Sequence, residues 1–305
     1  MPDPDDRPAV SVALVVNPSA AKGGALTVLP RVAGRLRDAG HTVEVLLSRS
    51  PDEAAGLVVS AAGSGADVLA VLGGDGMAHL GLNAVAARAF DDPAGAPALG
   101  LVPAGTGNDF ARGLGLDPDD LDAVVGALVA GRSRPVDLLR VGERWVGTVV
   151  ATGFDALVNA RANRMRWPRG SARYTLAVLA ELRTFTPLRY SLVVDGVARE
   201  LEAMFVSVGN TSSFGGGLKI CPDADPTDGW LDVTVIHPVS RAKLLQLLPR
   251  MKDGGFASDP CVERLRARSV RVERGAGSAY GDGEELGPTP VTVEVVPRAI
   301  RICLP

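Results

Sequence analysis

Three apolar runs, at residues 10–16, 67–72 and 96–102, and a further strand-like stretch at 42–47 alternate with helix-forming stretches, and this alternation constrains the fold more than any other feature. Runs without a polar face suit strands covered by helices on both sides, which is the situation of a parallel sheet. Helix-forming sequence over 25–39 stops at Gly40, with Pro30 inside it as a kink or a late start. Ser50-Pro51-Asp52-Glu53 reads as a helix start, with a Ser cap, Pro at the first helical position and Glu placed to complete a capping box. That helix runs to about Ala62 and breaks at Gly63, and further helices are expected over 78–90 and 119–130. Strand and helix in strict alternation imply right-handed crossovers, and ligands of such sheets bind at the carboxyl ends of the strands.

Three of those ends turn abruptly polar. The first leads into Asn17-Pro18-Ser19-Ala20-Ala21-Lys22-Gly23-Gly24, the third into Gly73-Gly74-Asp75-Gly76-Met77, and the fourth into Pro103-Ala104-Gly105-Thr106-Gly107-Asn108-Asp109. Glycines can adopt positive φ and leave no Cβ in the way, so backbone N–H groups can approach phosphate oxygens at a helix N-terminus. Asp75 adds a carboxylate suited to magnesium or a ribose. Neither the dinucleotide pattern GxGxxG nor a Walker GK[ST] is present. Tight strand-to-helix turns without a ligand are the alternative reading.

Beyond about residue 132 the pattern changes. Strands are expected over 134–141, 144–151, 190–194, 197–208, 230–236, 269–273 and 291–302, with Asp195-Gly196 as a two-residue hairpin turn. Helices are expected over 155–165, 172–184 and 241–251. The fold class is therefore an α/β N-terminal domain with a parallel sheet, followed by a mainly antiparallel β-sandwich. The expected boundaries are 1–132 and 133–305, with the last strand free to pack back on the first domain.

A net charge of −3 with 22% charged residues gives no basic surplus for nucleic acid. No apolar run reaches the ~18 residues that span a bilayer, and residues 1–8 lack the basic and apolar parts of a signal peptide, so a cytoplasmic protein is expected. Cys221, Cys261 and Cys303 have no paired spacing and read as reduced structural thiols. Residues 161–173 carry five arginines and Trp167 but no acid, which describes either a solvated helix face or a contact with anionic lipid head groups.

Two acidic loops remain. Asp223, Asp225, Asp228 and Asp232 crowd one turn-rich stretch, as a hard-cation site or a solvated acidic loop, and the spacing excludes an EF-hand. In Tyr280-Gly281-Asp282-Gly283-Glu284-Glu285 a hairpin turn explains Asp-Gly, and the same arrangement suits a carboxylate general base carried on a sheet.

Taken together, Asn17-Pro18, Gly73-Gly74-Asp75-Gly76, the block from Pro103 to Arg112, Gly153-Phe154-Asp155, Gly217 to Pro222, Asp228-Gly229 and Asp282-Gly283-Glu284 resemble the diacylglycerol kinase catalytic family of bacterial lipid kinases. The GGDG segment is shared with NAD kinases and phosphofructokinases; the block from Pro103 with the late Asp-Gly-Glu is specific to the lipid kinases. The resemblance implies a first domain like that of phosphofructokinase and NAD kinase, a lipid entering near the cleft between the domains, and transfer of the γ-phosphate of ATP to a hydroxyl of diacylglycerol or a related lipid. It implies an ATP site formed by Asn17, Pro18, Ser19, Ala20, Ala21, Ser48, Gly73, Gly74, Asp75, Gly76, Met77, Ala78, His79, Thr106 and Asn108. It implies a structural magnesium held by Asp228 with the backbones of Asp225 and Trp230, and either Asp282 or Glu284 as the base. It also implies peripheral action at the inner membrane surface and, in many relatives, a homodimer.

Two departures stand out. The family usually has GGDGT followed by an Asn-Glu pair, where this chain has Met77, Ala78, His79 and Leu80. A lost hydroxyl and a lost acid motivate one alternative, a silent lipid- or nucleotide-binding protein; the other, a soluble-metabolite kinase of the NAD kinase type, shares the GGDG segment but not the block from Pro103.

Overall fold

The computed structural model describes residues 9–20, 24–165, 167, 176–177, 180–181, 185–275 and 277–305. Two compact units emerge, Met1–Val136 with Arg298–Pro305, and Asp137–Pro297.

In the first unit, β1 (Ser11–Val16), β2 (Thr42–Leu47), β3 (Val68–Gly73) and β4 (Ala98–Pro103) form a parallel sheet in the order β2-β1-β3-β4. Every residue of β3 is buried, as are all of β1 but Ser11 and all of β4 but Pro103, whereas the edge strand β2 is partly exposed throughout. The end of the last strand lies parallel to β4, with Ile302 opposite Leu99. The strands connect through α1 (Gly24–Asp38), α2 (Pro51–Ala62) and α3 (Asp75–Asp91), and after β4 come α4 (Asp109–Gly113) and α5 (Leu121–Val129). Helix α1 turns Ala25, Val32, Ala33 and Leu36 inward, a helical-period stripe that accepts Pro30 on the outer side.

Local signals act as their chemistry dictates, with two corrections. Ser50 Oγ accepts from the Glu53 N–H, but the Glu53 carboxylate accepts from Arg49 N–H rather than closing the box on Ser50. Helix α3 begins at Asp75, three residues before the expected start, because the Gly74 carbonyl already accepts from Met77 and Ala78 N–H. It also lies close to the sheet: a Cβ at Gly81 would stand 2.9 Å from Val71 Cγ1 and 3.0 Å from Leu99 Cδ1.

The second unit is an antiparallel sandwich. One sheet runs β12-β11-β10-β7-β14-β15, from strands Val262–Ala267, Leu231–Ile236, Phe205–Gly209, Val149–Ala151, Ser278–Gly281 and Glu284–Pro288. The other pairs β16 (Val291–Cys303), β13 (Ser269–Arg274), β8 (Leu188–Val194) and β9 (Val197–Ala203). Tyr190, Leu192, Val270 and Val293 from this sheet meet Val150, Val206, Val208 and Val233 from the first, which is the alternation a sandwich core requires. A second core lies under α6 (Phe154–Arg164) and α7 (Arg241–Arg250), around Phe154, Phe205, Leu244 and Phe256.

Two expected strands are each divided. The stretch 197–208 breaks at Met204, whose N–H donates to Ile236 O, so that β9 joins one sheet and β10 the other. The stretch 144–151 breaks into β6 (Arg144–Val146) and β7, between which Gly147 and Thr148 turn their N–H groups to the Asp282 carboxylate. Most of the expected helix over 172–184 lies outside the described residues, as do Arg166, Arg169 and Arg173.

Candidate active site

The parallel register places the ends of β1, β2, β3 and β4 on one edge, and with them Asn17, Ser48, the Gly73–Met77 turn and Thr106. Asn17 N–H donates to Leu72 O at 3.0 Å, and its side-chain oxygen accepts from Ser19 N–H, which closes the first loop. Pro18 and Ala20 are half-buried in that loop, and Ser19 is exposed. Ala21 lies outside the described residues. Ser48 is buried and gives its hydroxyl to Val16 O at 3.1 Å, tying the second strand end to the first.

The glycine motif works differently from the sequence expectation. None of Gly73, Gly74 and Gly76 has positive φ. Instead the two glycine loops press backbone on backbone: a Cβ at Gly105 would lie 2.6 Å from Gly74 Cα, and one at Gly107 would collide with Asp75 Oδ2. Asp75, at the first turn of α3, accepts from Asp109 N–H through Oδ1 at 2.7 Å and from Asn108 N–H through Oδ2 at 2.9 Å. Both oxygens therefore cap α4, a task the expectation of a ribose or magnesium ligand did not include. Asn108, in the left-handed region at φ 54°, braces the same loop by exchanging two 2.9 Å hydrogen bonds with Gly105.

What this clamp leaves open is the start of α3. The first N–H groups of a helix have no partner within it and carry the positive end of its dipole. Gly76 has open space where a Cβ would be, and Thr106 is exposed with its hydroxyl unbonded among the described residues. A small pocket under the loops is lined by Val71, Gly73, Gly74, Asp75, Ala78, Leu101, Val102, Pro103, Asn108 and Ala111. Met77 points the other way; it is buried and fills the space a Cβ on Gly73 would need. His79 is half-buried, with its backbone carbonyl accepting from Asn83 Nδ2 at 3.0 Å one turn on.

In the second unit, Asp282 and Gly283 form the turn between β14 and β15, at φ 50° and 86°. The two candidate bases have opposite surroundings. Asp282 Oδ2 accepts from Gly147 N–H at 2.9 Å, and Oδ1 accepts from both Thr148 N–H at 2.9 Å and Thr148 Oγ1 at 2.6 Å. Glu284 is exposed, and among the described residues its carboxylate has no hydrogen bond or ion pair. Sequence reasoning found both acids but missed Gly147 and Thr148, which belong to no motif and lie more than a hundred positions away in the chain.

The acidic loop binds itself and its arginines. Asp225 Oδ1 accepts from Thr227, Asp228 Oδ1 accepts from Trp230 N–H at 3.0 Å, and Asp228 Oδ2 pairs with Arg266. Arg266 and Arg268 stack on the Trp230 ring, 5.3 and 4.8 Å from its centre. Among the described residues no three His, Cys, Asp or Glu side chains are grouped to hold a metal ion. One atom does fit a cation: Asp232 Oδ2 is buried without a hydrogen-bond partner, and its closest ion-pair contact, Arg266 Nε, stands at 4.0 Å. Burial raises the Asp232 pKa, the charges of Asp228 and Asp225 add to this, and Arg266 opposes it.

The three cysteines are free. Burial pushes Cys261 and Cys303 up to about 11, which keeps both as thiols at neutral pH. Among the described residues no helix is long and apolar enough to cross a membrane.

Residues 11–141 match the diacylglycerol kinase catalytic domain, and residues 148–304 match the YegS C-terminal NAD kinase beta sandwich-like domain. The diacylglycerol kinase of Mycobacterium tuberculosis is 39% identical over 300 residues, covering 96% of this chain and 95% of that protein. A protein of Xanthomonas oryzae pv. oryzae named "Probable lipid kinase YegS-like" is 31% identical over 291 residues, 91% of each chain. Among solved structures, a diacylglycerol kinase from Bacillus anthracis str. Sterne superposes with a TM-score of 0.78 over 98% of this chain and 99% of its own, at 24% identity, which speaks for the fold alone. With both units matched and the likeness running nearly end to end, the chain belongs to the diacylglycerol kinase family and is a kinase.

Proposed function

We propose that the protein transfers the γ-phosphate of ATP to the primary hydroxyl of diacylglycerol. The observation that carries this reading is the glycine-lined start of α3, held open at the carboxyl edge of the parallel sheet by the Asp75 clamp. Backbone N–H groups there suit phosphate oxygens, with Thr106 and Ser19 as further hydrogen-bond donors and Asn17, Pro18, Ala20, Ser48, Ala78, His79 and Asn108 as the surrounding shell.

Glu284 is assigned as the base and Asp282 as its anchor. An acid whose oxygens already accept three protein hydrogen bonds is poorly placed to accept another from a substrate hydroxyl. An exposed, unpartnered carboxylate two residues on has no such engagement. As the lipid oxygen attacks phosphorus, Glu284 takes the hydroxyl proton, the new O–P bond forms, and the bond from the γ-phosphorus to the bridging oxygen breaks to release ADP. Asp228 with the carbonyls of Asp225 and Trp230 would hold a structural magnesium, which supplies positive charge to the acidic loop and relieves the buried Asp232 oxygen. A magnesium with the nucleotide would offset phosphate charge. Trp167, 80% exposed beyond the end of α6, and the arginines of 161–173 support contact with anionic lipid.

Transfer of label from γ-labelled ATP to lipids in mixed micelles, with and without phosphatidylglycerol, tests the reading. Label on diacylglycerol is expected, with Glu284→Gln lowering the rate ~10²- to 10⁴-fold. Undiminished transfer by Glu284→Gln would refute the base assignment, and no transfer to any lipid despite ATP binding would refute the activity.

A further inference from the structure

Around Glu284 every neighbouring residue is tied to a different element. Asp282 is held by Gly147 and Thr148 through its carboxylate. On the far side, the Glu285 carbonyl accepts from Arg144 Nη1, and Glu285 pairs with Tyr280 across the β14–β15 ladder. Between them, the Gly283 carbonyl accepts from Asn163 Nδ2 at 2.8 Å. Asn163 lies in the last turn of α6, 120 positions from the turn it holds, and Arg164 beside it places its charge near Tyr280. The Glu284 side chain is left unengaged in this set.

We infer that Asn163 is a positioning residue for the phosphoryl transfer, acting through the Gly283 carbonyl to set the direction in which Glu284 leaves the turn. The physical reason is the backbone of the turn itself. Asp282 and Gly283 both occupy the left-handed region, and Glu284 pairs with Gly281 across the turn, so the strand pairing holds one side of the peptide between Gly283 and Glu284 and Asn163 holds its carbonyl oxygen. Asp282 fixes the residue before that peptide, and the Glu285 contacts fix the residue after Glu284. Asn163 alone, among the described residues, fixes the peptide itself with a side chain. Its position on α6 gives it no reason of packing to be there, since it is exposed. A general base must meet the hydroxyl within hydrogen-bond reach, and a displacement of ~1 Å at a reacting centre can cost ~10²-fold in rate.

This inference rests on Glu284 being the base, and the test separates the two. Steady-state rates against diacylglycerol micelles, with ATP and magnesium, are measured from pH 5 to 9 for the full chain and for Glu284→Gln, Asn163→Ala, Asn163→Asp and Asn163→Gln. Asn163→Ala is expected to lower kcat ~10-fold with the KM for ATP and the melting temperature unchanged, in keeping with loss of one hydrogen bond at an exposed site. Asn163→Asp replaces the donor by a carboxylate of the same shape beside Glu284, so the acid limb of its kcat profile is expected to move to higher pH, an effect that a purely structural role would not produce. Asn163→Gln, which keeps the amide donor, is expected to recover part of the rate. If Glu284→Gln is inactive while the Asn163 variants match the wild type in kcat and acid limb, the positioning role is overturned and the base assignment stands. If Glu284→Gln remains active, the base assignment falls and this inference falls with it.

Discussion

Replacing Asp75 by Asn should unpin the second glycine loop before it affects any ligand. The carboxylate accepts charge-assisted hydrogen bonds from Asn108 and Asp109 N–H at 2.9 and 2.7 Å. Bonds to a charged group contribute about 1.5–3 kcal/mol each, and Asp75 is half-buried, so the lower figure applies. Asn keeps one accepting oxygen but turns an NH2 group toward the other N–H, for an expected loss of about 2 kcal/mol, or roughly 4–8 °C in the melting temperature of a domain of this size. Gly107→Ala attacks the same clamp from the other side, because its Cβ would collide with Asp75 Oδ2. The expected cost is about 1.5 kcal/mol, and the two changes should couple: the double variant loses about 2 kcal/mol rather than the sum, since a clamp already broken cannot be broken again. Any entropic gain from adding a methyl to a glycine cancels around the cycle, because it enters both arms. Thermal unfolding of the four proteins, with amide hydrogen exchange read at Asn108 and Asp109, measures both the coupling and its location. Additivity within about 0.5 kcal/mol, with both amides as protected as in the wild type, would refute the clamp. Intact stability with reduced ATP affinity would give Asp75 back to the ligand.

Two further outcomes follow from buried groups. Met77→Thr, which restores the residue common in the family, should destabilise by about 2 kcal/mol, because a buried side chain packed on Gly73 is replaced by a smaller one carrying a hydroxyl; a melting temperature equal to the wild type would show that Met77 does not fill that space. Asp232 has its folded pKa raised by burial, so its contribution to stability is fully present below the unfolded value of about 3.9 and is lost as pH rises through the folded one. Asp232→Asn should therefore be the more stable protein at pH 7 without magnesium, lose less stability between pH 4 and 7, and respond less to added magnesium; a variant that is less stable at pH 7, or that gains as much from magnesium, contradicts the cation assigned to this loop.

The amino-acid sequence by itself determined whatever depends on neighbours a few positions apart. Apolar runs covered on both faces specified β1, β3 and β4, the Ser50 cap specified the start of α2, and Asp195-Gly196 and Asp282-Gly283 specified their turns, because periodicity, capping and left-handed turn residues act over two to four residues. The order of polar strand ends along the chain sufficed to locate the candidate nucleotide edge. Tertiary structure alone decided what those residues do there. The glycines of the two loops serve close backbone approach rather than positive φ, a fact set by Gly74 meeting Gly105 across thirty-one positions of chain. The strand expected at 144–151 was divided by Asp282, which takes two of its N–H groups from 134 and 135 positions away. The same bonds separate the anchored acid from the unengaged one, and no local pattern records them: a hydrogen bond between distant segments is selected by the packed sheets that bring its ends together, not by the residues beside it.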